Sequence, residues 1–122
     1  MDTGLTHTSR LTVAQQHTAK TLGSGDLEVL ATPQMVALME NAAMLAVKDH
    51  LPEGSTTVGA RIDTTHLRPS AVGHEVSATA TLTAIEGRKL SFSVAAHDGD
   101  TVIGEGRHTR YIVDIEKFLS KL

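Results

Sequence analysis

The feature that most constrains this chain is the run PQMVALMENAAMLAVK, Pro33 to Lys48, in which apolar residues occupy nearly every side of a helical wheel. Gln34, Asn41 and Lys48, each seven residues from the last, form one narrow polar stripe. Met35, Val36, Ala37, Leu38, Met39, Ala42, Ala43, Met44, Leu45, Ala46 and Val47 supply almost everything else. A helix that is hydrophobic nearly all round has to be enclosed by other elements. Thr32 followed by Pro33 reads as N-cap and first helical residue. Pro52 and Gly54 stop the helix after Lys48 or His50. With 122 residues the chain has room for one domain, residues 1–122, and one core.

The rest of the sequence changes period from that of a helix to two. Residues 1–9 are polar and expected to fray, Arg10–Gln15 alternates as a short first strand, and His17–Asp26, with Gly23, Ser24 and Gly25, reads as a loop. After Gly54, Val58, Ala60, Ile62, Thr64 and His66 mark one face of a strand that ends at Arg68-Pro69. Val76, Ala78, Ala80, Leu82 and Ala84 mark the next, and Leu90, Phe92, Val94 and Ala96 the one after. Glu86-Gly87 and Asp98-Gly99 are tight-turn signals between these strands. The last strand, Thr101 to about Asp114, contains Gly104 and Gly106, which permit curvature or close approach of another backbone. One apolar face per strand and one buried helix predict an α+β fold: a five-stranded antiparallel sheet curled around the helix.

Composition narrows the function. Lys and Arg are scattered, the net charge is −3, and no basic patch interleaved with aromatics is present, which argues against a nucleic-acid partner. The absence of cysteine removes disulfides, thiolate metal sites and cysteine nucleophiles. No histidine spacing suits a metal, and HExxH, Gly-rich phosphate loops and G-x-S-x-G elbows are missing. The N-terminus shows no secretory pattern, and Val29–Val47 is too polar to span a bilayer, so a cytoplasmic protein without a membrane partner is expected.

Three residues stand out as candidates for chemistry. Glu40 is the only charged side chain between Glu28 and Lys48; its neighbours three and four residues away are Val36, Ala37, Ala43 and Met44, and it lies off the polar stripe. A carboxylate on an apolar face is costly unless paired or neutralised, so Glu40 tilts towards solvent, meets a structural partner from the sheet, or serves a function. His66 continues an apolar strand face and points towards the helix, as a satisfied core histidine or as a proton-transfer group. Thr32 is explained as an N-cap, yet the start of a buried helix is also a place where a carbonyl or developing oxyanion is stabilised.

Taken together, LATPQMVALMENAA, TVGARIDTTHLRPSAVG and GEGRHTRYIVDIEKF resemble the fluoroacetyl-CoA thioesterase-like family of hotdog proteins, over about Leu11 to Phe118. The order Thr, Glu, His, with gaps of eight and twenty-six, is similar to that family's catalytic set. The resemblance implies a hotdog fold, catalytic roles for Thr32, Glu40 and His66, and substrate contacts at Gly59 and Arg110. It implies an acyl-CoA thioesterase with no cofactor beyond the CoA of its substrate, in which Glu40 acts as nucleophile or general base and His66 moves the proton. A homodimer or dimer of dimers is expected, because hotdog relatives pair sheets edge to edge and a small chain gains stability that way. The sequence departs from the fluoroacetyl specialist at the segment ahead of the helix, LGSGDLEV, which carries no aromatic lid residue. The alternative function is a non-catalytic acyl-CoA-binding protein, which would keep Gly59 and Arg110 without needing Glu40 and His66. An enoyl-CoA hydratase would need a G-D-x-N-P-x-H type of motif, which is absent.

Overall fold

The computed structural model describes all 122 residues. The elements run β1 (Thr6–Thr12), a 3₁₀ turn (Gln15–His17), α1 (Ala19–Leu22), α2 (Thr32–Val47), a second 3₁₀ turn (Lys48–His50), β2 (Ser55–His66), β3 (Glu75–Glu86), β4 (Lys89–Asp98), β5 (Thr101–Asp114) and α3 (Ile115–Leu119). The five strands form one antiparallel sheet in the order β1-β3-β4-β5-β2, so β1 and β2 are its edges. This is the predicted sheet and long helix. Both tight turns fall where expected, with Gly87 and Gly99 at φ of 63° and 60°, a left-handed conformation that glycine adopts without steric cost.

Helix α2 packs mainly against β1 and β3, and its buried residues Met35, Leu38, Met39, Ala42, Ala43, Ala46 and Val47 fill one half of the helical wheel. They meet Val76, Ala78, Ala80 and Leu82 of β3 and Leu90, Phe92, Val94 and Ala96 of β4 in a core whose only buried aromatic side chain is Phe92. The expected enclosure on all sides does not hold within one protomer. Pro33, Ala37 and Asn41 are exposed, and Val36, Glu40 and Met44 are half-buried. A helix resting off-centre on one side of a sheet can bury only one face; at the border of its open side Glu40 lies beside Gly59 of β2.

Four other expectations need correction. The first strand begins earlier, at Thr6, because its alternation extends back through residues read as frayed, and it ends at Thr12, with Gln15 in the 3₁₀ turn; Gly4 and Leu5 also bond to Leu82. The loop read at His17–Asp26 contains α1, whose cap Thr18 accepts from the Thr21 amide at 3.3 Å. The short C-terminal helix α3 was not foreseen. The inward face of β2 is not Val58 and Ala60 throughout. A β-bulge between Gly59 and Arg61 inserts one extra residue, so Thr57 and Gly59 face inward before it and Ile62, Thr64 and His66 after it. A side-chain period of two cannot survive an inserted residue.

The β5 glycines serve close approach. A Cβ at Gly104 would sit 2.6 Å from the Met35 sulfur and 2.8 Å from the Thr65 carbonyl oxygen, and one at Gly106 would collide with the Asp63 carbonyl. Only glycine lets β5 lie this close to β2 and to α2. No helix is long and apolar enough to cross a membrane.

Candidate active site

The start of α2 holds the first group of candidate residues. Ala31, in extended conformation, is the N-cap, and no side chain caps the helix. Thr32 is the first helical residue instead, and its hydroxyl is 2.8 Å from Nδ1 of His66. The predicted N-cap role is therefore replaced by a hydrogen bond across to the end of β2. His66 Nε2 is buried and has no protein partner. Desolvation holds the His66 pKa below its ordinary value of about 6.5, with the Arg68 main chain opposing the shift. The two residues border a cleft of about 270 Å³, walled by Leu30, Leu67 and Pro69 and by Ala19 and Ser24 of the preceding segment. The wall is tied down by the Leu30 amide donating to the Ser70 carbonyl (2.9 Å); further along, His74 donates to Asp98 (2.8 Å). That bond is the largest cause of the lowered Asp98 pKa.

The second group lies two helical turns further on. Glu40 extends from the boundary between the buried and open faces of α2 towards Gly59, and a Cβ at Gly59 would sit 2.9 Å from its Oε2. The same point is 3.3 Å from Nη1 of Arg110 and 3.3 Å from Cε1 of His108. Gly59 and Arg110 are cross-strand partners, so the missing side chain of one makes room for the guanidinium of the other. Arg110 is 7% exposed and well anchored: Nε donates to Thr57 Oγ1 (2.9 Å), Nη2 to the Thr57 carbonyl (3.0 Å) and Nη1 to Nε2 of His108 (3.2 Å). Glu40 is near this guanidinium without forming a salt bridge to it.

His108 is 2% exposed. Its Nδ1 is 2.7 Å from the Arg61 carbonyl, which cannot donate, so Nδ1 carries the proton and Nε2 is the acceptor for Arg110. Its pKa is lowered, chiefly by desolvation and further by Arg110; the Arg61 carbonyl and Glu40 oppose this. Desolvation also lowers the Arg110 pKa, with Glu40 opposing. The ring stacks obliquely 6.2 Å from Phe92.

The sequence reading missed His108 and Thr57. A signal for His108 was present, because it stands two residues before Arg110 on a strand and so shares its face. Thr57 was hidden by the bulge, because counting back in twos from Ile62 puts it on the opposite face. The candidates divide into two groups, Thr32 with His66 and Glu40 with Gly59 and Arg110. The expected Glu40–His66 pair is not formed within a protomer. Gly59 and His66 are seven residues apart on one strand, roughly 20 Å, while Glu40 reaches Gly59 directly. No group of three or more His, Cys, Asp or Glu side chains is placed to hold a metal ion.

The comparisons agree on one family. The model of the fluoroacetyl-CoA-specific thioesterase FlK matches residues 13–116. The chain is 43% identical over 95 residues to the fluoroacetyl-CoA thioesterase of Streptantibioticus cattleyicolor, covering 78% of this chain and 68% of that one. A crystal structure of FlK superposes with a TM-score of 0.92 at 37% identity, over 99% of this chain and 94% of that one. A thioesterase-superfamily member from Thermus thermophilus superposes with a TM-score of 0.90 at 25% identity, over 98% and 89%. The order of the strands, the single long helix and these matches together mean that the chain belongs to the FlK family of hotdog-fold thioesterases.

Proposed function

We propose that this protein hydrolyses a small acyl-CoA thioester to the free acid and CoA, with Thr32, Glu40 and His66 as catalytic residues, Gly59 and Arg110 contacting substrate, and no cofactor beyond the substrate's own CoA. The observation that carries the reading is the combination in one chain of a histidine bonded to Thr32 beside a cleft, its Nε2 unpartnered, and a separate carboxylate held near a buried, anchored arginine. Thioester hydrolysis needs these parts. A carboxylate attacks the carbonyl carbon or takes a proton from the attacking water, a fixed donor stabilises the oxyanion, and a proton reaches the leaving sulfur. Glu40 supplies the first, Arg110 or the Thr32 end of α2 the second, and His66 the third. A burst of acyl-enzyme distinguishes Glu40 as nucleophile from Glu40 as base.

The two groups meet when two chains associate. Strand β2 is an edge, and Glu40, at the border of the open side of α2, lies beside its Gly59. Antiparallel pairing of β2 with a second β2 brings the His66 end of one strand towards the Gly59 end of the other. This covers the edge and assembles Glu40 of one subunit with Thr32 and His66 of its partner. Light scattering should give a dimer or a dimer of dimers at micromolar concentration, and a monomer would refute this arrangement.

The activity itself is tested by thiol release from a panel of acyl-CoAs, with Glu40→Gln as control. A protein that binds acyl-CoA without turnover would support the non-catalytic alternative. The segment Gly23 to Glu28 is wholly exposed and contributes only the small Ser24 to the cleft. Selection for one fluorine would need a dry wall of bulky groups beside the α-carbon. Little preference for fluoroacetyl-CoA over acetyl-CoA beyond intrinsic reactivity is therefore expected. A preference above about a thousandfold, roughly 4 kcal/mol, would overturn this.

A further inference from the structure

We infer that His108 is a positioning residue that keeps the Arg110 guanidinium aimed at the space beside Gly59 and prevents it from closing onto Glu40. The inference rests on the roles proposed above for Arg110 and Glu40. Arginine has five N–H bonds in one plane, so fixing both edges of the plane fixes its orientation. Thr57 holds only one edge, through Nε and Nη2. The other edge, Nη1, has a single protein acceptor, Nε2 of His108. A competing acceptor is Glu40, since its Oε2 and the Arg110 Nη1 both come within 3.3 Å of the point where a Gly59 side chain would begin. A buried arginine beside a carboxylate would ordinarily form a bidentate pair, and no such pair forms here. The imidazole supplies the alternative acceptor.

The β-bulge equips His108 for this work. By inserting Ala60 it shifts β2 out of phase and leaves the Arg61 carbonyl beside Nδ1 of His108. That carbonyl accepts a hydrogen bond from Nδ1–H, which keeps the proton on Nδ1 and leaves the Nε2 lone pair facing Arg110. A pair of hydrogen bonds, one to each ring nitrogen, thus selects one tautomer. Without the acceptor, Nη1 swings to Glu40. The carboxylate is then quenched as base or nucleophile, and the guanidinium is withdrawn from substrate, so kcat falls and KM rises together.

Three substitutions separate this role from simple core packing. In His108→Asn the side-chain amide can still donate to the Arg61 carbonyl but cannot reach Arg110. In His108→Gln the longer side chain places its carbonyl near the position of Nε2 and restores the acceptor. His108→Leu removes both bonds. Thiol-release kinetics should show kcat/KM reduced about tenfold or more in the Asn and Leu variants, the scale expected when a hydrogen bond to a charged group is lost. His108→Gln should recover most of that loss. In parallel, ¹⁵N NMR of the Arg110 side chain should show the same Nη1 resonance position in wild type and in the Gln variant, and a shifted one in the Asn variant, where the acceptor becomes the Glu40 carboxylate. If the Asn and Gln variants behave alike in either measurement, the inference is overturned. Should the wild type hydrolyse no acyl-CoA, the thioesterase reading falls on that result, and the NMR comparison alone then decides the role of His108.

Discussion

The start of α2 and its middle solve opposite problems with the same kinds of residue. At the start, Thr32 and His66 share one hydrogen bond beside a cleft, and the second imidazole nitrogen has no partner. In the middle, His108 and Arg110 are closed into a network in which both imidazole nitrogens and three guanidinium N–H groups are engaged. Both histidines have lowered pKa values with desolvation as the leading cause, yet only His66 has a ring nitrogen without a hydrogen-bond partner. Burial alone therefore does not mark a histidine for proton transfer. What separates the two is whether the surrounding hydrogen bonds leave a free site.

The largest test of this division removes one residue from each group. Glu40→Gln and His66→Ala should each lower kcat by about a thousandfold, within the usual range for a general acid or base, with circular dichroism unchanged. Either variant folding normally and keeping most of its kcat would take that residue out of the mechanism. Mixing the two inactive proteins under conditions of subunit exchange should restore about a quarter of wild-type activity. Half the dimers are then mixed, and each carries one intact site of two. No recovery would place both groups in sites made by one chain.

Gly59→Ala sharpens the geometry of the middle group. The new methyl falls 2.9 Å from Glu40 Oε2 and 3.3 Å from Arg110 Nη1. Both are ends of side chains, so the fold should survive while Glu40 is displaced. A drop in kcat/KM of about 10–100-fold is expected, since misplacing a reacting group by an ångström costs on that order. Full activity would show that the space beside Gly59 is not used.

Thr32→Ala probes the other group and separates capping from chemistry. Loss of a true N-cap costs about 1 kcal/mol, but Thr32 makes no cap bond. Denaturant unfolding should therefore change by less than about 0.5 kcal/mol, while kcat falls about tenfold. A full capping loss with unchanged kcat would return Thr32 to a structural role.

The smallest effect is on stability against pH. His66 and His108 both have folded pKa values below the unfolded value of about 6.5. The unfolded chain therefore binds protons more readily, and folding favours the neutral rings. Their contribution is present above about pH 6.5 and is lost as pH falls from there through the folded pKa values. Melting curves from pH 8 to pH 5 should show a decline beginning near 6.5, shallower in His66→Gln. Identical slopes for the two proteins would mean that His66 is not desolvated in solution.

How much of this was legible in the sequence follows from which signals are local. The apolar run of α2, the alternation of β3 and β4 and the two glycine turns depend on neighbours in the chain, and they gave the sheet-and-helix architecture directly. Thr32, Glu40 and His66 could be singled out because each is out of character with its surroundings. The position of the bulge could not be read, because an extra residue in a strand leaves no mark in composition, and with it went Thr57 and the inward orientation of Gly59. His108 looked like one histidine among seven. Its place two residues before Arg110 was legible, but only packing set its Nε2 as the acceptor for the guanidinium.

The sequence by itself determined which residues would be costly to bury, since the desolvation of a carboxylate or imidazole is a property of the side chain and the polarity of its neighbours. The tertiary structure decided which of them meet. Glu40 and His66 lie on elements that touch, yet α2 advances about 1.5 Å per residue and β2 about 3.3 Å. The eight residues from Thr32 to Glu40 therefore span far less distance than the seven from Gly59 to His66. That mismatch in rise, invisible in residue spacing, divides the candidate site into two groups within one protomer.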